Sequence, residues 1–319
     1  MTATYRAMLC RRLGPPGVLA LAELPRDALR PGEVRIAVRA AGVNFPDLLQ
    51  VAGDYQHKPP LPFVPGFEAA GDVIETASER WRIGDAVLLR GQGCYAEEIV
   101  ARAETLLPKP ADWSYEEAAA FPVAASTAWV SLIPRGRLQA DEMLLVLGAG
   151  GGTGLAAVTL GARLGATVVA IASSLEKRAA ALAAGAAAAI DPAQAGWESG
   201  VQADVVFDPV GGEMFNTAWR ALKPGGRWLV VGFAGGAIPK PPANRLLLKE
   251  AELIGVRAGE QGRRNPAVAK ALETGLKDWL VSGQGRPRLG AVYRLDEAAA
   301  ALHCIDERKA VGKLVLRTR

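Results

Sequence analysis

Histidine is nearly missing from this chain: 319 residues carry two, His57 and His303. That removes the commonest metal ligand and the commonest acid–base group from almost every position. Cysteine is scarce as well. Cys10, Cys94 and Cys304 are odd in number, far apart and without C-x-x-C spacing, so a disulfide framework is not expected and a reducing cytoplasm is the default. No apolar run reaches the length of a membrane span, and MTATYRAMLC reads as a first strand, not as a signal peptide. Charge of one sign is lacking too. The 37 Lys and Arg against 33 Asp and Glu leave a net of +4, with no basic block dense enough for a nucleic-acid or membrane surface. What remains is the composition of an ordinary enzyme, long enough for two domains.

Glycine is plentiful, and its placement carries the most information. Residues 143–147 form an apolar run that reads as a buried strand. Gly148, Gly150, Gly151, Gly152 and Gly154 make a turn, 155–164 reads as a small-residue helix, and 167–172 as a second buried strand. This is a βαβ unit with its glycines where a strand hands over to a helix. Ala149 to Gly154 is G-x-G-x-x-G with Ala for the first glycine. Gly151 would let the backbone approach a pyrophosphate and Gly154 would let helix and strand pack closely. The amides of Gly152 and Thr153 at the helix start would hold the anion.

The remaining pattern sorts into two styles. Before residue 120, short β segments (6–10, 18–24, 33–41, 66–75, 86–89, 96–100) alternate with Pro and Gly, as in a small barrel or sandwich. Residues 47–51 read as one helical turn. Ser114 and Glu117 form a capping box before an alanine-rich helix, and 127–133 reads as a second helix. From 143 onward, six apolar runs (143–147, 167–172, 187–190, 204–207, 227–231, 252–256) are separated by helical stretches, which predicts a six-stranded parallel doubly wound sheet. Beyond 256 the pattern relaxes through 257–265. A helix (267–281), a strand (291–295), a helix (296–305) and a last strand (313–316) then follow.

Several of these stretches, AAGVNFPDLLQVAGDYQHKPPLPFVPGFEAAG (40–71), WRIGDAV (81–87), EEAAAFPVAASTAW (116–129), DVVFDPVGG (204–212), LKPGGRWLVVGFAGG (222–236) and GKLVL (312–316), stand in an informative order and spacing. The chain thereby resembles the zinc-free NADPH:quinone oxidoreductase (zeta-crystallin-like) branch of the medium-chain dehydrogenase/reductase superfamily. The resemblance implies an α/β fold: a GroES-like β-rich catalytic domain (1–125), a six-stranded Rossmann domain (126–260) and a C-terminal segment (261–319) returning to the first domain. It also implies a homodimer, formed where the sixth strand, 252–256, pairs with its copy. That edge carries no Pro or Lys guard.

The cofactor expected is NADPH. A site that prefers NADH carries an acid about twenty residues past the glycines, on the ribose 2′-OH. Here Ala172-Ser173-Ser174 occupies that place, and Ser173 with Lys177 suits a 2′-phosphate. The other reading of the same residues is a capped helix start. Asp191-Pro192 replaces a Tyr that relatives use at this phosphate, so the grip is expected to be weaker than theirs. Thr127 and Phe233 are placed beside the nicotinamide, and Val256 and Lys313 complete the expected cofactor set.

Zinc-dependent relatives carry a Cys and a His where Asn44 and Phe67 stand, and neither of these replaces a thiolate or an imidazole. The chemistry expected is therefore hydride delivery to an acceptor already electron-poor, a quinone or an activated enone. Asn44 is a candidate donor to a carbonyl oxygen, or else the cap of the turn at 46–49. Tyr55 is a candidate O–H at the cleft, or else packs its ring under Pro59-Pro60. Glu68 and Asp208 read as structural. Two further functions fit the same residues. An enoyl-thioester reductase would use Tyr55 as its acid and a basic surface drawn from Arg39, Lys58, Arg257, Arg263 and Arg264. The third possibility is a non-catalytic NADPH-binding protein.

Overall fold

The computed structural model describes residues 3–318. Seven strands come first. β1 (Thr4–Cys10) and β2 (Leu19–Pro25) make an antiparallel ribbon. β3 (Glu33–Val43), β4 (Glu68–Thr76), β5 (Ala86–Arg90), β6 (Glu98–Arg102) and β7 (Leu107–Pro108) enter a larger sheet. Between β3 and β4 lies α1 (Phe45–Ala52), a full helix where one turn was expected. It ends on Gly53 in the left-handed conformation. The capping box forms as read: Ser114 Oγ accepts the Glu117 N–H at 3.1 Å and Glu117 accepts the Ser114 N–H at 2.8 Å. The helix it opens, α2 (Tyr115–Ala119), is short, and α3 (Pro122–Val130) starts five residues before the expected 127. Proline suits the first turn of a helix and ill suits its interior, so Pro122 divides the two.

Next comes the sheet of β8 (Met143–Leu147), β9 (Thr167–Ile171), β10 (Ala188–Ile190), β11 (Ala203–Asp208), β12 (Leu222–Val230) and β13 (Glu252–Gly255). All its pairings are parallel and its order is β10-β9-β8-β11-β12-β13. The strand order reverses between β8 and β11, the point at which doubly wound sheets bind ligands. Helices α4 (Gly152–Arg163), α5 (Leu175–Ala183), α6 (Gly212–Ala218) and α7 (Ala243–Lys249) connect the strands. α4 begins three residues before the expected 155, because glycine's poor helix propensity hides its first turn.

Two more helices follow β13. α8 (Ala258–Arg264) occupies the stretch read as relaxed, and α9 (Pro266–Val281) is capped by Asn265, whose Oδ1 accepts the N–H groups of Ala267 and Val268. α9 buries Leu272, Leu276, Trp279 and Leu280, one face at helical spacing. A Cβ on its Gly275 would stand 2.3 Å from the Trp129 indole nitrogen, so this helix is packed tightly against α3. The chain then enters β14 (Leu289–Arg294), α10 (Ala298–Asp306) and β15 (Lys313–Arg317). They complete a sheet ordered β14-β15-β3-β4-β5-β7, with β6 on β3.

Two compact units result. The first runs to Val123 and resumes at Arg286; the second is Ala124–Gly285. The second therefore runs past 260, the boundary read from the sequence, to Gly285, and takes in the rest of α8 and all of α9. The first unit's core gathers Val34, Ile36 and Val38 of β3 with Leu89, Ile99, Leu302 and Leu316. The second's gathers Leu145, Val206, Phe215, Trp219 and Trp228, the last three as a cluster of rings.

Candidate functional site

In the first unit, β3 delivers the chain to Asn44 and α1 takes it away. Asn44 stands at the N-cap in extended conformation, yet its side chain does not cap. The cap runs the other way: the Asp47 carboxylate accepts the Asn44 backbone N–H at 2.7 Å. Asn44 is buried, and its amide is held on both sides. Its Oδ1 accepts from Lys313 Nζ at 2.6 Å, while its Nδ2 donates to Glu68 Oε1 at 2.9 Å and reaches Gly42 O only at 3.4 Å. Lys313 also donates to Val43 O at 3.1 Å and to Glu68, and Glu68 Oε2 accepts the Val123 N–H at 2.7 Å. Gly42 makes room for this. A Cβ there would fall 2.3 Å from Glu68 Oε1 and 2.6 Å from Ala119 O.

Lys313 was expected on the cofactor. Its ammonium instead spends its three hydrogens on Val43, Asn44 and Glu68, leaving none for a phosphate.

Asp47 is the group the sequence reading passed over. It is fully buried, and the same Oδ2 that takes the Asn44 N–H takes the Tyr95 O–H at 2.8 Å, while Oδ1 has no partner. Burial pushes its carboxyl from 3.8 up to about 7, against the opposing pull of Tyr95, the Asn44 amide and Lys313. Burial likewise raises the Tyr95 phenol and the Cys94 thiol well above their ordinary values. Asn44 and Asp47 in an N-x-x-D spacing at a strand end were a local sign of the reversed cap; Tyr95 left none.

Tyr55 follows the end of α1, its N–H on Leu49 O at 3.1 Å. Its half-buried ring lies 5.8 Å from that of Phe67, tilted by 58°. Phe67 precedes Glu68, so Tyr55, Phe67, Glu68 and Asn44 are linked by contact. His57 is exposed on the same loop.

In the second unit the glycine loop closes on itself. A Cβ on Gly154 would stand 2.3 Å from Gly148 O, so only glycine lets α4 approach the loop this closely. At Gly151 a Cβ would meet nothing nearer than 3.7 Å, leaving open space over the loop. The first turn of α4, with Gly152 and Thr153, presents amides that have no partner within the helix. Ala149 is buried, its N–H on Ile171 O at 3.0 Å. Lys177 crosses this loop: a Cβ on Gly150 would fall 2.4 Å from both Cβ and Cγ of Lys177.

The helix cap is Ser174, whose Oγ accepts the Lys177 N–H at 3.2 Å; Ser173 is exposed ahead of it. No carboxylate ends β9. Asp191, beyond β10, takes the Arg178 guanidinium at 2.7 Å through Nη1. Phe233 and Val256 follow β12 and β13, so the glycine loop, Ser173, Phe233 and Val256 all stand past the carboxyl ends of strands in one parallel sheet. Thr127, on α3, is half-buried and its carbonyl accepts the Ser131 O–H at 2.7 Å. Asp208 ties its turn, Oδ1 taking the N–H groups of Val210 and Gly211 at 2.8 Å and Oδ2 the Trp228 indole at 3.1 Å.

The arginines proposed for a basic surface are engaged. Arg39 pairs with Asp72, while Arg263 and Arg264 close on Glu260 at 2.7 and 2.8 Å, with Arg257 at 3.8 Å.

Residues 30–111 match the family described as Alcohol dehydrogenase GroES-like domain, and residues 152–274 match Zinc-binding dehydrogenase. The chain is 37% identical over 324 residues to Quinone oxidoreductase-like protein 2 of Bos taurus, covering 98% of this chain and 92% of that one. It belongs to the medium-chain dehydrogenase/reductase superfamily, as a quinone oxidoreductase-like protein. Within that superfamily, the quinone oxidoreductase of Thermus thermophilus, solved also in complex with NADPH, superposes with a TM-score of 0.86 at 33% identity over 98% of this chain and all of that one. The Pseudomonas syringae quinone oxidoreductase gives 0.88 at 27% identity over the same shares.

A zinc ion, which the second family description implies, does not fit the residues at the Asn44 position. Phe67 has no donor atom, the Asn44 oxygen faces an ammonium, and that ammonium would repel a second cation. Among the described residues no three His, Cys, Asp or Glu side chains gather as a ligand set. NADPH does fit the second unit: the space over Gly151, the first-turn amides of α4 and the Lys177 stem on Gly150 form a cradle open to an anion.

Proposed function

We propose that this chain is an NADPH-dependent oxidoreductase that reduces quinones or activated enones by direct hydride transfer. The observation that carries the reading is Lys177 laid across Gly150 of the glycine loop, with no carboxylate at the end of β9. A lysine whose stem lies on the loop can bring its ammonium to a 2′-phosphate, and an acid that would bind a ribose 2′-OH is lacking. The likeness to a relative described as a quinone oxidoreductase, that of Thermus thermophilus, supports the substrate class.

The nicotinamide, when bound, supplies the hydride. The chain's own residues bind and orient. The first turn of α4 holds the pyrophosphate, Ser173 and Lys177 the 2′-phosphate, and Thr127, Phe233 and Val256 the nicotinamide half. Asn44 directs its remaining amide hydrogen, engaged only with Gly42 O at 3.4 Å, to the acceptor's carbonyl oxygen. Tyr55, steadied by Phe67, positions the acceptor, and water protonates the product oxyanion. Three free cysteines, two of them buried, suit residence in a reducing compartment. β13, paired among the described residues only with β12, offers an edge on which a second copy would make a homodimer. The test is turnover of NADPH and of NADH with ortho-quinones, para-quinones, enones and enoyl-CoAs. The expected result is NADPH oxidation by quinones or enones; oxidation by enoyl-CoAs alone overturns the reading.

A further inference from the structure

The ammonium of Lys313 sits in a cage of three oxygens: Val43 O at 3.1 Å, Asn44 Oδ1 at 2.6 Å and the Glu68 carboxylate. An ammonium has three hydrogens, so the cage uses all of them. The place is almost closed to water, with 5% of the Lys313 side chain and none of Glu68 exposed. It is a fixed internal cation rather than a surface lysine.

Its effect falls on Asn44. With the amide oxygen on the ammonium, the nitrogen is turned toward Glu68 at 2.9 Å. The flipped amide would set its NH2 against the ammonium and its oxygen against the carboxylate, two repulsions in a dry site. The amide therefore has one polarity. Its oxygen is turned to the ammonium, and its second hydrogen, on the nitrogen, makes only a long contact with Gly42 O, at 3.4 Å. The weakly engaged group that Asn44 has left to offer a ligand is therefore a donor.

We propose that Lys313 is a positioning residue that, as an internal cation caged by Val43, Asn44 and Glu68, fixes the orientation of the Asn44 amide so that it keeps an N–H donor for the ligand, favouring ligands that present a carbonyl oxygen. The proposal rests on the reading of Asn44 as the group that meets the acceptor.

Lys313→Ala deletes the atoms from Cγ to Nζ, which are those of n-propylammonium. The experiment measures NADPH affinity, kcat and KM with 1,4-naphthoquinone, and the thermal midpoint, each with and without n-propylammonium. Tetramethylammonium serves as a cation without N–H. The variant is expected to lose about tenfold or more in kcat/KM, the scale of a lost hydrogen bond to a charged group, with NADPH affinity changed by less than about twofold. n-Propylammonium restores activity and raises the thermal midpoint, and tetramethylammonium does neither. Unchanged kcat/KM, a loss residing in NADPH affinity, or no recovery with n-propylammonium overturns the proposal. Lys313→Ala leaves Glu68 buried without the cation that bonds it; if it does not fold, Lys313→Met with Glu68→Gln removes both charges of the pair. That double variant is expected to fold and show the same loss in kcat/KM, and wild-type kcat/KM in it overturns the proposal. Wild-type protein inactive with every quinone and enone would overturn the functional reading alone, because the thermal midpoint reads the cage without turnover.

Discussion

Asp47 makes the stability of this protein depend on pH in a direction opposite to that of most carboxylates. Three things favour its charged form: the Tyr95 O–H, the Asn44 N–H and the Lys313 ammonium; Glu68 opposes it, and burial outweighs all of them. The carboxyl rests at about 7 in the folded protein against an ordinary 3.8. Between those values the folded state keeps a proton that the unfolded chain has released. Stability from this group is present in full below about pH 4, falls by about 1.4 kcal/mol per pH unit, and is gone above about pH 7. Three units make a total of about 4 kcal/mol, a large part of the 5–15 kcal/mol typical of a domain. Asp47→Asn removes the titration and keeps an oxygen for the Asn44 and Tyr95 donors. Urea unfolding followed by tryptophan fluorescence, from pH 4 to pH 8, is the assay. The stability of the variant relative to wild type should rise by about 4 kcal/mol across that range. Parallel pH profiles would show that Asp47 is ionised in the fold and would refute the reasoning.

Lys177→Ala should weaken NADPH by about 10- to 150-fold, the value of one hydrogen bond to a charged group, and leave NADH nearly untouched; equal losses in a fluorescence titration would remove Lys177 from the 2′-phosphate. Tyr55→Phe should cost less than about tenfold in kcat with a quinone, whereas loss of an obligatory acid costs roughly 100- to 10,000-fold. A collapse of that size at unchanged NADPH affinity would make Tyr55 the proton donor. Light scattering at micromolar concentration should give a dimer, and Leu253→Lys, on the half-exposed edge of β13, should shift it toward monomer; a wild-type monomer would count against pairing at that edge.

What was legible in the sequence was what neighbours in the chain decide. The Ser114 and Glu117 box, the Gly154 approach to Gly148 and the six apolar runs involve residues a few positions apart, and their signals survive as pattern. The site around Asn44 is built otherwise. Its amide meets Lys313, 269 positions away, and Glu68, 24 away, while Asp47 meets Tyr95 across 48. No periodicity encodes such pairs. Lys313 therefore passed for a cofactor ligand, and Asp47 passed for part of a turn. α8 escaped notice for a different reason. Two glycines and four charged or amide side chains in Ala258–Arg264 hide a helix whose arginines converge on Glu260. α9 was read as part of a returning tail because its apolar face, correct in spacing, does not say which core it joins.

The split first unit has a consequence for synthesis on the ribosome. β15 pairs with residues 40–43 of β3 from the far end of the sequence, and Lys313 lies 270 positions beyond Val43. At about 5–20 residues per second, that strand is made some 15–50 s after β3. Ala124–Gly285 is continuous and can fold in the interval. Throughout it, residues 40–43 of β3 offer a bare edge and Glu68 lacks the lysine that bonds it, so the nascent first unit is the part that a chaperone would have to shield.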